Sequence, residues 1–169
     1  DLGFSLDVSQ MGIPEGFLES KLEAAAAAYT YMRELEAGEV KNVDEGRMVG
    51  HYWLRDASLA PEPSIRSYID TCREDIIRFA KGVHAEDKFT HVLVVGIGGS
   101  ALGPQLIADA LGNASDAMEI AFLDNTDPDG FMRVLGHLPL ETTITVVISK
   151  SGGTKETANG MAAARTAYE

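Results

Sequence analysis

The sequence predicts an α/β fold, a three-layer sandwich in which helices cover both faces of a parallel sheet, preceded by a helical segment. Three short apolar runs, at 91–98, 119–125 and 143–148, each lead into a helical pattern, which is the order of a parallel sheet. Ahead of these runs, apolar residues recur at helical spacing. We therefore expect a helical segment over 1–85 and a sheet domain over 86–169.

Two helices are predicted in the first segment. Apolar residues at helical spacing span residues 17–35, and Gly38 follows as a stop signal. A second helix is expected to begin near Ser64, a good N-cap residue, and to end at Gly82. The stretch Asn42–Pro63 between them is predicted to be mostly loop.

Helices also follow the three predicted strands. The first spans Ala101–Leu111, the second begins after Asp127 with Pro128 at its first position, and the third spans Ala158–Tyr168. Sheets usually contain about four to six strands. Because only three are predicted here, we expect this chain to be part of a longer protein.

Composition restricts the possible partners. Of 169 residues, 45% are hydrophobic and 24% are charged, which is typical of a globular protein. The net charge of −12 argues against nucleic acid and anionic membranes as partners. The single cysteine, Cys72, excludes an internal disulfide and fits a reducing compartment. No apolar run approaches the length of about 20 residues that a membrane-spanning helix needs, and we expect no targeting segment. We therefore predict a cytoplasmic location.

The loop after the third strand is the strongest functional signal. Ser149-Lys150-Ser151-Gly152-Gly153-Thr154, here called the hydroxyl loop, joins the strand to the last helix. A helix start offers unpaired N–H groups and partial positive charge, and the hydroxyls add O–H donors. Glycines let the backbone close around an anion. The sequence therefore predicts a phosphate site here.

A second glycine-rich segment, Gly96–Ser100, follows the first strand and is here called the glycine turn. With Ala101 it fits G-x-G-x-x-A, the dinucleotide fingerprint, and Asp124 ends the next strand as a ribose-binding acid would. A dinucleotide-dependent oxidoreductase is one interpretation, and a tight turn without a ligand is another. The hydroxyl loop favours a third, in which two loops hold one small phosphorylated ligand.

Several motifs, in order, resemble the phosphoglucose isomerase family. The family pattern GIGGSxLGP matches Gly96–Pro104, and its N-x-D matches Asn125 with Asp127. Its ETT…SK-[ST]-x-x-T-x-E-T segment matches Glu141–Thr143 and Ser149–Thr157. Upstream, residues 42–47 and 51–55 resemble N-x-T-E-x-R and H-x-x-L-R. The resemblance covers the chain from about residue 42 to 169.

The resemblance implies a sugar-isomerase (SIS) domain of flavodoxin-like type, acting without metal or cofactor on glucose 6-phosphate and fructose 6-phosphate, in glycolysis and gluconeogenesis. It assigns phosphate binding to the side chains of Ser149, Ser151 and Thr154 and to the backbone of Lys150, Gly152 and Gly153, and contact with the sugar to Gly99 and Ser100. Glu156 matches a glutamate that organises a histidine supplied within a homodimer. The family's base, histidine, lysine and arginine have no counterpart in residues 1–169, so this chain alone is expected to lack proton transfer.

The sequence departs from the family pattern in the hydroxyl loop and upstream of it. Gly152-Gly153 replaces bulkier or hydroxylated residues, and Asp44 stands in place of Thr. We expect a more flexible loop that binds phosphate more weakly. A non-catalytic SIS module that senses a sugar phosphate remains a second hypothesis, because it would use the same loop. An SIS isomerase acting on amino sugars is disfavoured by the HYWLR segment.

Overall fold

The structure is a computed structural model that describes residue 3 and residues 5–169. It divides into two compact units, residues 1–76 and 77–169. The division falls inside one helix, so the domain limits of 1–85 and 86–169 stay a prediction. The first unit contains α1 (Phe17–Ser20), α2 (Leu22–Glu36), β1 (Val40–Asn42), β2 (Arg47–Met48) and the first half of α3 (Pro63–Ala85).

The predicted helix over 17–35 is two helices, because the chain breaks at Lys21 between α1 and α2. None of the residues of either helix is buried. The apolar spacing predicts a packed face, but within the described residues most of its large apolar side chains are exposed. The stretch 42–63 is mostly loop, as predicted, although the short antiparallel hairpin of β1 and β2 enters it and two 3₁₀ turns follow.

A small buried centre holds the first unit together around Trp53. Its side chain is only 5% exposed, and its indole N–H donates to the carbonyl oxygen of Glu36 at 2.8 Å. Ala60 is fully buried, and its carbonyl accepts a bond from the Arg66 guanidinium at 2.7 Å. Trp53 is therefore a core residue that ties the end of α2 to the turn that follows the hairpin.

The second unit is a doubly covered parallel sheet, which confirms the predicted fold class. It contains β3 (His91–Val95), α4 (Gly99–Leu111), β4 (Glu119–Leu123), α5 (Pro128–His137), β5 (Thr143–Val147) and α6 (Lys155–Tyr168). All three strands are parallel, in the order β4-β3-β5. Both neighbours of β3 start in register with it, His91 lying opposite Glu119 and Thr143.

Successive side chains of β3 point to opposite faces of the sheet, and helices cover each face. Leu93 and Val95 are fully buried with Leu123 and Ala164, and side chains of α5 pack against them. The intervening apolar residues of the strands point to the other face, where the end of α3 and α4 lie. The buried core therefore sits between the sheet and the α5–α6 layer, and it fixes α6 on β3.

The strand order places a topological switch point beside β3. The chain leaves β3 through α4 toward one face, whereas it leaves β5 through α6 toward the other. In open α/β sheets, ligands bind at such a switch point, outside the carboxyl ends of the strands. The glycine turn and the hydroxyl loop both begin there. None of the helices in the described part of the chain combines the length and apolar character needed to span a membrane.

Candidate functional site

The two predicted loops leave the sheet side by side. The amide of Ile148 donates to the carbonyl of Val95 at 2.8 Å, which extends the pairing of β3 and β5 to the first residue beyond β5. A Cβ placed on Gly96 would come within 2.9 Å of the Ser100 Cβ and 3.3 Å of the Ile148 carbonyl oxygen. Only glycine fits at this junction, because the turn and the neighbouring strand end are in contact.

The glycine turn opens α4 through a left-handed residue. Gly98 is the N-cap of α4, with φ of +56°, and no side chain caps the helix. Gly99 is exposed and Ser100 is half-buried at the start of the helix. Pro104 lacks an N–H, so the carbonyl of Ser100 has no donor four residues ahead. The first turn of α4 therefore has one intrahelical hydrogen bond fewer than a regular helix, next to the end of β3.

Three hydroxyl groups of the second loop converge. The Ser149 hydroxyl donates to the Thr154 hydroxyl at 3.3 Å, and the Ser151 hydroxyl lies 3.5 Å from the same oxygen. Bonds between hydroxyls are normally about 2.7–2.8 Å long. These contacts are therefore weak, and an anion oxygen placed between the hydroxyls could replace them at small cost.

The backbone amides of the two loop glycines are used within the loop. Gly152 N–H donates to the Ser149 hydroxyl oxygen at 3.0 Å, and Gly153 N–H donates to the Ser151 hydroxyl oxygen at 3.1 Å. Each serine hydroxyl therefore accepts from an amide and keeps its own proton for donation. Chains of this kind strengthen the terminal donor, because each bond polarises the next.

The start of α6 adds backbone donors to the same place. Thr154 is the N-cap of α6 but its side chain makes no cap bond, so its hydroxyl stays with Ser149 and Ser151. The first helical amide with an intrahelical partner is that of Ala158, which bonds to the Thr154 carbonyl. The amides ahead of it face the helix end, where an anion is stabilised by the helix dipole.

The charged residues of the loop point outward. Lys150, Lys155 and Glu156 are all exposed. Glu156 lies in the first turn of α6, two residues after the N-cap Thr154. The described residues contain no cluster of three or more His, Cys, Asp or Glu side chains able to hold a metal ion. The site therefore consists of neutral donors around a helix start.

The structure gives Asp124 a role within the fold. One carboxylate oxygen accepts from the Gln105 amide at 2.7 Å and the other from the Asn125 amide at 2.9 Å. Asn125 in turn accepts from the amide of Asp127, which caps α5 by accepting from the Gly130 amide at 3.0 Å. Asp124 thus joins α4 to the start of α5, and both its oxygens are used without a ribose.

Sequence reasoning missed Thr157 as a residue of interest. It is only 4% exposed, and its hydroxyl has no hydrogen-bond partner. The motif contained it, but no pattern in the sequence showed that its side chain turns toward the sheet. The burial of Gly160 and Ala164 on the same face of α6 explains this orientation.

The parallel sheet, its switch point and the two loops define an α/β domain with a candidate anion site at the carboxyl ends of its strands. The comparisons with known proteins are more specific. The model of the phosphoglucose isomerase family matches residues 9–169, and the chain belongs to that family. This finding confirms the resemblance stated from the motifs.

Individual relatives agree. The chain is 49% identical to a glucose-6-phosphate isomerase of Geobacter sp. (strain M21), over all of this chain and 34% of that protein. It is 51% identical to the corresponding protein of Geobacter sulfurreducens, over 99% of this chain and 34% of that protein. The crystal structure of a glucose-6-phosphate isomerase from Chlamydia trachomatis superposes with a TM-score of 0.75 at 29% identity, covering 92% of this chain and 32% of that one. This chain spans about a third of the length of these relatives.

Proposed function

We propose that the complete protein interconverts glucose 6-phosphate and fructose 6-phosphate, and that residues 1–169 supply the part that binds the phosphate. The observation that carries this proposal is the convergence of three hydroxyls on the start of α6, in a chain about half identical to glucose-6-phosphate isomerases.

The proposed binding mode follows from the donors. The hydroxyls of Ser149, Ser151 and Thr154 donate to phosphate oxygens, together with the backbone of Lys150 and the amides at the start of α6. Gly152 and Gly153 support this arrangement by donating to the two serine oxygens. Gly99 and Ser100 face the sugar from the neighbouring turn.

The proposed reaction needs more than a phosphate site. Opening of the sugar ring requires an acid and a base near the ring oxygen and the anomeric hydroxyl. A carboxylate must then move a proton between C1 and C2 through an enediol, which positive charge stabilises. We assign none of these roles to residues 1–169. Glu156 supports a histidine from elsewhere in the proposed homodimer, and the proposed location is the cytoplasm.

The test is a rate measurement on the complete protein and on residues 1–169 alone. We expect the complete protein to convert fructose 6-phosphate to glucose 6-phosphate, and the shorter chain to give no turnover. Saturable binding of fructose 6-phosphate without turnover by the complete protein would instead support the sensing module. Binding of NAD(H) with no response to either sugar phosphate would support an oxidoreductase and contradict the proposal.

A further inference from the structure

Thr157 combines burial with an unused hydroxyl. Within residue 3 and residues 5–169, its Oγ1 is the one buried side-chain polar atom without a hydrogen bond. Burying a hydroxyl without a partner destabilises a folded protein, and a valine of the same shape would avoid that loss. A buried, unpaired hydroxyl in the first turn of a helix at the candidate site therefore needs an explanation.

The position of Thr157 in α6 indicates its partner. Thr154 is the N-cap, so Thr157 occupies the third helical position, and the pair has the spacing of a capping box. In a capping box, the side chain at the third position accepts the N–H of the N-cap residue. Neither half of that motif is formed here, because the Thr154 hydroxyl contacts Ser149 and Ser151 instead.

Close packing keeps Thr157 in place. One turn further along α6, a Cβ on Gly160 would lie 2.8 Å from Val95 Cγ1, so the helix rests directly on β3. Because α6 runs opposite to β3, Thr157 lies beyond Val95, toward the carboxyl end of the strand where the two loops begin. Its hydroxyl oxygen is closed off from solvent. The partner must therefore come from a small shift of the adjoining loop.

We propose that Thr157 is a positioning residue of the hydroxyl loop. When an anion occupies the loop, the Thr157 hydroxyl accepts the amide N–H of Thr154, and this bond holds Thr154 with its own hydroxyl on the anion. The bond forms only in the occupied state, so it adds to anion affinity, whereas the unoccupied state carries the unpaired hydroxyl. This inference rests on the proposed function of the loop.

The test compares Thr157→Val and Thr157→Ser with Thr143→Val in the complete protein. Thr143 is a matched control, since it is 5% exposed and its hydroxyl already donates to the Pro139 carbonyl at 2.9 Å. Affinity for inorganic phosphate and for fructose 6-phosphate is measured by calorimetry or competition, Tm is measured without ligand, and kcat and KM are measured in the isomerase assay.

Thr157→Val is expected to raise the ligand-free Tm and to weaken phosphate binding about tenfold, the value of one hydrogen bond. KM rises by the same factor while kcat is unchanged, because the lost interaction does not distinguish substrate from transition state. Thr157→Ser keeps the affinity of the original protein. Thr143→Val lowers Tm and leaves phosphate affinity unchanged.

Two results would overturn the inference. One is a lower Tm for Thr157→Val, as for Thr143→Val, which would show that the hydroxyl is already bonded in the unoccupied protein. The other is unchanged phosphate affinity in Thr157→Val while the original protein binds phosphate. If the original protein binds neither phosphate nor fructose 6-phosphate, the proposed function of the loop fails, and the inference with it.

Discussion

The left-handed conformation of Gly152 allows a direct test of the hydroxyl loop. Gly152 has φ of +70°, and no atom lies within 4 Å of the position its Cβ would take. Substitution by alanine therefore introduces no clash with the surroundings, and its effect comes from the backbone alone. A residue with a Cβ is disfavoured in this conformation by about 1–2 kcal/mol.

The consequence for binding follows from populations. Because the loop is exposed, Gly152→Ala is expected to let it adopt other conformations rather than to unfold the sheet. A loss of 1–2 kcal/mol reduces the binding-competent fraction about 5- to 30-fold, and the apparent Kd for phosphate rises by the same factor. Tm is expected to change little, since no buried contact is lost.

Gly153→Ala is the matched control. It makes the same chemical change one residue further on, where φ is not left-handed, and the nearest atom to its Cβ is the Ser151 hydroxyl oxygen at 3.9 Å. Calorimetric titration of both variants with inorganic phosphate measures the difference. Equal affinities for the two variants would refute the reasoning, because they would show that the loop does not bind phosphate in the conformation described here.

Two further predictions concern the scaffold. Gly160→Ala is expected to lower Tm, because its Cβ would lie 2.8 Å from Val95 Cγ1 and overpacking of about 1–3 kcal/mol exceeds a gain in helix propensity of about 1 kcal/mol. Gly136→Ala is the control, because Gly136 lies in α5 with open space around the position of its Cβ, and it should raise Tm. Tm shifts of the same sign in both variants would contradict the packing argument. Bonds from the hydroxyl and amide of Ser58 lower the pKa of Asp56 below its ordinary value of 3.8. A carboxyl group with a lowered pKa stabilises the fold at pH values above its ordinary pKa, and this stabilisation is lost as the pH falls through the lowered pKa. Asp56→Asn should therefore reduce Tm at pH 7, whereas in acid the Tm of the variant should approach that of the original protein. A Tm difference that does not change with pH would contradict this prediction.

The second unit could be predicted from sequence because its signals are local and consistent. Each predicted strand starts at its observed residue, and each ends one to three residues early in the structure, where the loop begins. Asp127 and Pro128 gave the start of α5 correctly, since an N-cap and a first-turn proline act within one turn. Hydrophobic period and capping chemistry are both properties of neighbouring residues, so sequence alone reveals them.

The first unit was harder to predict for a physical reason. The β1–β2 hairpin pairs only three residues with two, too few for an alternating pattern to show. The break at Lys21 has no sequence signal, because lysine favours helices. The apolar faces of α2 and α3 were recognised, but periodicity identifies a face and not what covers it. Such coverage depends on distant parts of a chain, and relatives are about three times as long.

The candidate site shows the same limit at the scale of single bonds. The sequence placed Ser149, Ser151 and Thr154 in one loop, and the structure brings both serine hydroxyl oxygens within 3.5 Å of the Thr154 hydroxyl oxygen. The sequence could not show that the amides of Gly152 and Gly153 donate to the serine hydroxyl oxygens, because those bonds depend on the left-handed turn at Gly152. Nor could it show that Thr157 lacks a partner, since a threonine in a first turn normally finds one.

The composition of the site fits the charge of the chain. With a net charge of −12, residues 1–169 as a group repel a phosphate ester, and attraction from this part of the protein must come from dipoles acting at contact distance. Hydroxyls and helix amides meet this requirement, provided that the loop holds them in one geometry. The left-handed Gly152, the close packing of Gly160 on Val95 and the unpaired Thr157 all act on that geometry rather than on charge. The specificity of this site therefore depends on backbone conformation, and substitutions that leave its charge unchanged should affect it most.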